Sequence, residues 1–509
     1  MADSRTGNVI KNSGASLLYK GSHIIIQFAL RTAFIRILGK EYGGISTLFT
    51  DILSVLSLME LGMGSAMTYA LYKPLAEKDG KKISALMNFY KKAYTLIGVM
   101  VLLVGLACTP FLQYIVKDVP NIKEDIRLIF VMYVLTSSAS YLLVYKTALL
   151  RADQKPRIIF MADAVIQSCE SLIEIILLVI FREYFIYLIL HLIATLLRNI
   201  ILSYKSQRMY SEYLCNRDSS LKKEETKKLF KDIYALAIYK ISGTIVNSTD
   251  SIVISAFVGT VEVSLLGNFT LIINSIRTAI EQIVNAARPS VGNLAATSSS
   301  EKQESVFEQM NFIAFWVACF CCTCFYILLN PFVGNIWFDK SFEMSNTVIV
   351  VLTANFFISV MVYPVEIFRT ANGLFIQGKY RPAIMAVMNI VLDILLVENW
   401  GAVGVLLATT FSRLSTQVWF DPYLIYKFAF FKKPWTYYLE YLKDAVVTLM
   451  SCVIAQFIVG VLTFDNVYFD FIYRMIVAIC VPNILLFVLY HRRSEFITMR
   501  ERIIKKMKH

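Results

Sequence analysis

Apolar stretches of about 20 residues recur from one end of this 509-residue chain to the other. No other feature constrains its fold as strongly, because a run of that length is long enough to cross a bilayer as a helix. Composition agrees. Hydrophobic residues make up 57% and charged residues 17%, where soluble domains sit nearer half and a quarter. The chain reads as an all-α polytopic membrane protein. Its N-terminus, MADSRTGNVIKNSGAS, lacks a basic start followed by a short apolar core and cleavage site. The first apolar segment is therefore expected to be retained as the first span.

Hydropathy gives about fourteen spans, near 14–38, 43–70, 87–115, 126–150, 156–181, 184–205, 230–258, 262–290, 306–330, 345–373, 380–399, 401–426, 438–463 and 468–490. Only a short turn, Glu398 to Gly404, separates the eleventh from the twelfth. An even count puts both termini on one side. The net charge of +13 chooses which: Lys73, Lys78, Lys81 and Lys82, Arg151 and Lys155, the 205–231 cluster and the basic tail all fall on the N-terminal side. By the positive-inside rule that side is cytoplasmic. The excess charge thus belongs to membrane topology, and no nucleic acid partner is expected.

Several chemistries find no support. There is no GxxxxGK[ST] loop, GxSxG elbow or HExxH pair, and no long outward loop to carry a transferase or ligase site. No enzymatic activity and no tightly bound cofactor are expected. Cys319, Cys321, Cys322 and Cys324 lie in FWVACFCCTCFYILL, without a nearby His or carboxylate. They read as polarizable core residues, not as a metal site or a disulfide framework.

Two spans share a pattern. LLYKGSHIIIQFALRTAFIRILG and AIYKISGTIVNSTDSIVISAFVG align at an offset of 240 − 20 = 220. Tyr19 then meets Tyr239, Lys20 meets Lys240, Ser22 meets Ser242, Gln27 meets Asn247 and Gly39 meets Gly259. The repeat predicts two pseudo-symmetric six-helix lobes around a central cavity, with two helices appended. The segments expected are an N-terminal lobe at 1–220, a C-terminal lobe at 221–436, and helices 13 and 14 with the basic tail at 437–509. Repeats of this kind are a transporter architecture.

Ionisable residues inside spans are functional hypotheses by default. Lys20, His23, Gln27 and Arg31 share one face of the first span, at spacings of 3, 4 and 4. Lys240, Gly243, Asn247 and Ser251 repeat that stripe in span 7, with Asp250 at its edge. Span 8 carries Arg277, Glu281 and Arg288. Such faces would line a wet, basic cavity suited to phosphate, whose oxygens a guanidinium binds in pairs. In the alternative, Lys20 and Lys240 snorkel to the interface, and Arg288 serves topology. Glu60 and Asp51 in span 2 are placed to balance the basic face of span 1, and Glu366 and Arg369 in span 10 to pair with each other. Glu170 and Glu174 are four apart on span 5, seven and eleven residues after Asp163.

AVMNIVLDILLV sets Asn389 and Asp393 four apart within an apolar run, and Thr409 follows sixteen residues later on the returning span. Oxygens of this kind suit a small hard cation, or a proton on one carboxyl. A buried structural network is the alternative.

The segment GLFIQGKYRPAIMAVMNIVLDILLVENWGAVGVLLATTFSRL resembles the span 10–12 region of Wzx-type polysaccharide flippases of the multidrug/oligosaccharidyl-lipid/polysaccharide (MOP) superfamily. ARPSVGNLAAT, DPYLIYKFAF and NSTDSIVIS are similar as well. The superfamily also contains MurJ-type lipid II flippases and MATE drug transporters. The resemblance implies a bacterial cytoplasmic-membrane protein that moves undecaprenyl-diphosphate-linked oligosaccharides by alternating access, coupled to Na+ or H+, for capsule, exopolysaccharide or O-antigen synthesis. It implies a lipid-tail groove beside helices 13 and 14, contact with membrane lipids, and polymerases and glycosyltransferases as partners. It also implies a cation site at Asp250, Asn389, Asp393, Val405 and Thr409, and diphosphate contacts at Arg31 and Arg277, with Lys20, Lys240 and Arg288 as further cationic candidates. The competing readings are a lipid II or drug exporter of the same superfamily and, less well supported, a membrane polymerase.

Overall fold

A computed structural model describes residues 5–60, 62–117, 120–214, 219–374, 376–462, 464–497 and 501. Side chains are described from Tyr19 onward, apart from positions 228, 231, 232, 234–236, 238, 239 and 247. Helix is the only regular structure among the described residues. Among the described residues, twelve helices are long and apolar enough to cross a membrane, against the fourteen expected. Two things account for the difference. Lys223–Phe257, expected to be a span, falls outside the twelve, and Arg381–Phe430 counts once although it is broken internally.

Packing divides the chain into two compact units, Met1–Ser264 and Leu265–His509. The first contains α1 (Arg5–Leu38), α2 (Lys40–Leu56), α3 (Met63–Glu77), α4 (Gly80–Cys108), α5 (Ile126–Ser140), α6 (Arg157–Phe181), α7 (Tyr184–Met209) and α8 (Lys223–Phe257). α1 lies along α6, α6 and α5 both pack on α7, and α8 packs on α2 and α3. The packing boundary therefore comes later than the repeat boundary expected at 220, since α8 keeps company with the helices before it. Met67, Leu71, Ile83, Leu149 and Leu150 form the fully buried centre of this unit's core. Outside the spans, Lys82 ion-pairs with Glu225, whose other oxygen accepts from the Lys222 N–H at 3.1 Å. The Lys82 ammonium holds the Glu225 carboxyl below its usual range.

Gly39, at φ 101°, is the whole connection between α1 and α2. A side chain there would be strained, because this backbone region is open chiefly to glycine. Its repeat mate Gly259 has φ 144° and makes the corner that follows α8. The aligned glycines thus do the same work. Gly44 is constrained by space instead. A Cβ there would lie 2.0 Å from the carbonyl oxygen of Thr260, whose backbone crosses α2 at that point.

The second unit is built on α9 (Thr260–Thr297) from Leu265 onward, its first residues to Ser264 belonging to the first unit, and on α10 (Ser300–Pro331), α11 (Asn346–Ala371), α12 (Arg381–Arg413), α13 (Trp435–Val461) and α14 (Val467–Tyr490). α10 is its hub and touches α11, α13 and α14. The cysteine cluster serves that hub. Cys319 and Cys322 are fully buried, and all four are free thiols. Ile327 of α10 packs with Ala455 and Val459 of α13 and with Val477 and Ala478 of α14. α12 is broken at Gly401, where φ 55° and ψ −136° are non-helical, as the short turn in the sequence predicts. At Gly404 the returning limb comes so close that a Cβ would lie 2.3 Å from the Leu396 carbonyl oxygen.

Candidate binding sites of the two units

The first unit encloses a polar cavity of about 340 Å³ among α1, α2, α5, α6 and α7. The face of α1 predicted to be wet does line it, through Ser22, His23 and Gln27. Two other members of that stripe have different surroundings. Lys20 is partly buried and does not line the cavity. The Arg31 guanidinium donates to the Ser264 carbonyl at 3.2 Å and to the Thr47 hydroxyl at 3.5 Å, so it braces α1 against α2 and the Ser264 backbone.

A second polar cavity of the same unit, about 710 Å³, has Lys240, Arg151 and Arg198 in its wall. Lys240 is paired there with Glu60 at 2.7 Å, and the other Glu60 oxygen accepts from Tyr94 at 2.6 Å. Glu60 therefore balances α8, not the basic face of α1. Arg198 grips Asp163 with two bonds, of 2.8 and 3.0 Å. Asp250 is a partly buried residue of α8, and the Asn247 side chain lies outside the described residues.

Three side chains on the floor of the smaller cavity form a group that sequence reasoning only half found. Glu170 and Glu174 sit one turn apart on α6, and His191 reaches them from α7. Nδ1 of His191 is 2.7 Å from a Glu170 oxygen and 3.7 Å from Oε1 of Glu174. Glu174 is 2% exposed, and its Oε1 has no hydrogen bond. The glutamate spacing was visible in the sequence. The histidine signal was its place on the next, antiparallel span.

In the second unit, Asn389 and Asp393 are fully buried, with Thr409 beside them. Asn389 Nδ2 donates to Asp393 Oδ1 at 3.4 Å and to the Thr409 hydroxyl at 3.2 Å. Val405 is buried on the same limb as Thr409. The Asn389 carbonyl oxygen is buried without a hydrogen bond. An orphaned amide oxygen beside a carboxylate and a hydroxyl fits a hard cation, and it also fits a partly satisfied structural network.

The cations of this unit separate into paired and unpaired. Arg288 donates to Glu366 at 3.1 Å and to Asn285 at 2.6 Å. Glu366 is therefore not the partner of Arg369. Arg369 and Arg381 instead share the buried Asp421, at 3.4 and 3.3 Å. Arg277, on α9 one turn before Glu281, has neither a hydrogen bond nor an ion pair among the described residues. An apolar cleft of about 340 Å³ opens among α10, α11 and α13, with Tyr326, Phe357, Leu449 and Val453 in its wall.

These features define a polytopic all-α membrane protein: apolar helices in two compact units, with polar cavities and buried charges inside. The polysaccharide biosynthesis protein family matches residues 9–291, more than half of the chain, and the protein belongs to that family. No curated protein matches it. Among solved structures, it is similar to the lipid II flippase MurJ in an inward closed conformation, with TM-score 0.66 and 14% identity over 95% of this chain and 99% of that one. An inward-facing multidrug resistance MATE family transporter of the MOP superfamily gives TM-score 0.57 and 14% identity over 76% and 91%. A MOP superfamily transporter from Pyrococcus furiosus gives TM-score 0.54 and 15% identity over 80% and 92%. The protein thus has the MOP fold.

Proposed function

We propose that the protein flips undecaprenyl-diphosphate-linked oligosaccharide repeat units across the bacterial cytoplasmic membrane, with both termini cytoplasmic. Membership in a polysaccharide biosynthesis family supports a lipid-linked sugar as cargo. The observation that carries the reading is Arg277. A guanidinium on an apolar helix with no described protein partner is costly unless it meets an anion, and its fork suits a diphosphate. Arg31 is the weaker candidate, because both of its terminal nitrogens already donate to protein acceptors. Lys240 and Arg288 would have to leave their carboxylates to bind cargo. The apolar cleft beside α13 is suited to a prenyl chain.

Coupling would come from a cation whose affinity differs between two conformations, since only differential binding shifts such an equilibrium. Asn389, Asp393, Thr409 and the Val405 carbonyl are the residues of the second unit proposed to hold it. A cationic-drug exporter is disfavoured by the unpaired arginine.

The test is complementation of a flippase-null strain with defined repeat-unit chemistry. Arg277→Ala should abolish polysaccharide export while the protein stays in the membrane at normal level. Normal export by that variant would overturn the diphosphate role.

A further inference from the structure

The Glu170–Glu174–His191 group lies in the first unit, and the residues proposed above for the coupling cation do not include it. With both carboxylates ionised the group is net negative whether His191 is neutral or charged. Two negative charges face at most one positive. Buried charge without compensation costs several kcal/mol. None of the cavity-lining side chains of α2, α5 or α7 other than His191 carries a positive charge. α2 offers only the Ser46 and Thr50 hydroxyls to this cavity, α5 offers Tyr133, and α7 adds Tyr187. On α1, His23 lines the cavity, and the Arg31 guanidinium is held by the Ser264 carbonyl and Thr47. Asp163, further along α6, is already matched by Arg198. The two carboxylates lie together with only His191 between them, and Glu174 Oε1 is the buried oxygen that no side chain donates to, so it is the atom left to receive a proton.

We propose that Glu174, assisted by Glu170 and His191, is a proton-binding site of the first unit, loaded from and emptied into its polar cavity. A proton suits the place better than a metal ion. The His191 nitrogen turned toward the carboxylates, Nδ1, already makes a 2.7 Å hydrogen bond with Glu170, so no ion sits between those two atoms. A proton needs no coordination shell and only one free oxygen. The step balances simply: hydronium in the cavity gives its proton to Oε1, an O–H bond forms, and water is left. The carboxyl becomes neutral, and the reverse step returns the proton to water. Carboxylate–histidine chains of this kind serve as proton relays in membrane transporters. The inference rests on the transport reading for its purpose, though not for its chemistry.

Infrared difference spectroscopy on the purified full-length protein, titrated with pH in sodium-free buffer, tests it without any cargo. The wild type should show a protonated-carboxyl band that appears on acidification. Glu174→Gln should lose that band, whereas Glu170→Gln should keep it and move its midpoint. Should Glu174→Gln fail to fold, Glu174→Asp must shift the frequency of the band; an unshifted band overturns the assignment. Full retention of the band in Glu174→Gln also overturns it. So does a stoichiometric metal ion that elemental analysis finds in the wild type and not in the variant. A band that behaves as expected in a protein unable to translocate lipid-linked sugar would sink the flippase reading and leave the proton site standing.

Discussion

Replacing Asn389 by alanine separates the two roles left open for the buried group on α12. Its side-chain amide donates two bonds, at 3.2 and 3.4 Å, both near the long end of the useful range. Each such bond is worth about 0.5–1.5 kcal/mol net. Bracing alone therefore predicts that Asn389→Ala loses about 1–3 kcal/mol of stability, whatever salt is present. A bound cation adds a second, distinguishable effect. A ligand at about a hundred times its dissociation constant stabilises the folded state by about 2.7 kcal/mol. The Asn389 carbonyl oxygen, buried with no hydrogen bond, is the natural ligand atom to lose. Thermal unfolding of the purified protein should be measured in sodium, in lithium and in choline at equal ionic strength. Wild type should be stabilised by sodium over choline, and Asn389→Ala should lose that increment as well as the bracing term. Equal unfolding temperatures for wild type in all three salts, with the variant lowered equally in each, would refute cation binding and leave a structural knot.

Gly44→Ala should sharply reduce the yield of folded protein, because its Cβ would stand 2.0 Å from a backbone oxygen that cannot rotate away. Gly43→Ala meets instead a serine hydroxyl, at 2.4 Å, which can turn, so detergent size-exclusion profiles should rank the two; equal profiles would refute the crossing. Arg198→Met strands the buried Asp163 and should cost about 3–5 kcal/mol of stability. Adding Asp163→Asn should recover most of that loss, and a double variant no more stable than Arg198→Met contradicts the pairing.

Features that depend on local spacing were legible in the sequence. Gly39 and Gly259 align as repeat mates and share a positive-φ corner geometry, and Asn389 to Asp393 is a one-turn step on any helix. The hairpin at Gly401 followed from a turn too short for anything else. Features that depend on backbone acceptors or distant partners were hidden. Nothing in the sequence marks the Ser264 carbonyl as the seat of Arg31, since every residue has a carbonyl. Glu60 was assigned to the wrong helix because its partner Lys240 lies 180 positions away. Arg369 and Glu366, three apart, made a plausible pair until Asp421, fully buried between two arginines, supplied a better one.

The one-residue corner between α1 and α2 also bears on how the protein is made. A single left-handed glycine leaves no loop that can be handed across a membrane by itself. The second helix must follow the first into lipid at once, or the backbone groups at the turn are stranded without partners. Gly401 sets the same demand on α12. During synthesis these segments should therefore leave the ribosome and partition into the bilayer as pairs. Lengthening either corner would loosen the order of insertion before it changed anything in the finished protein.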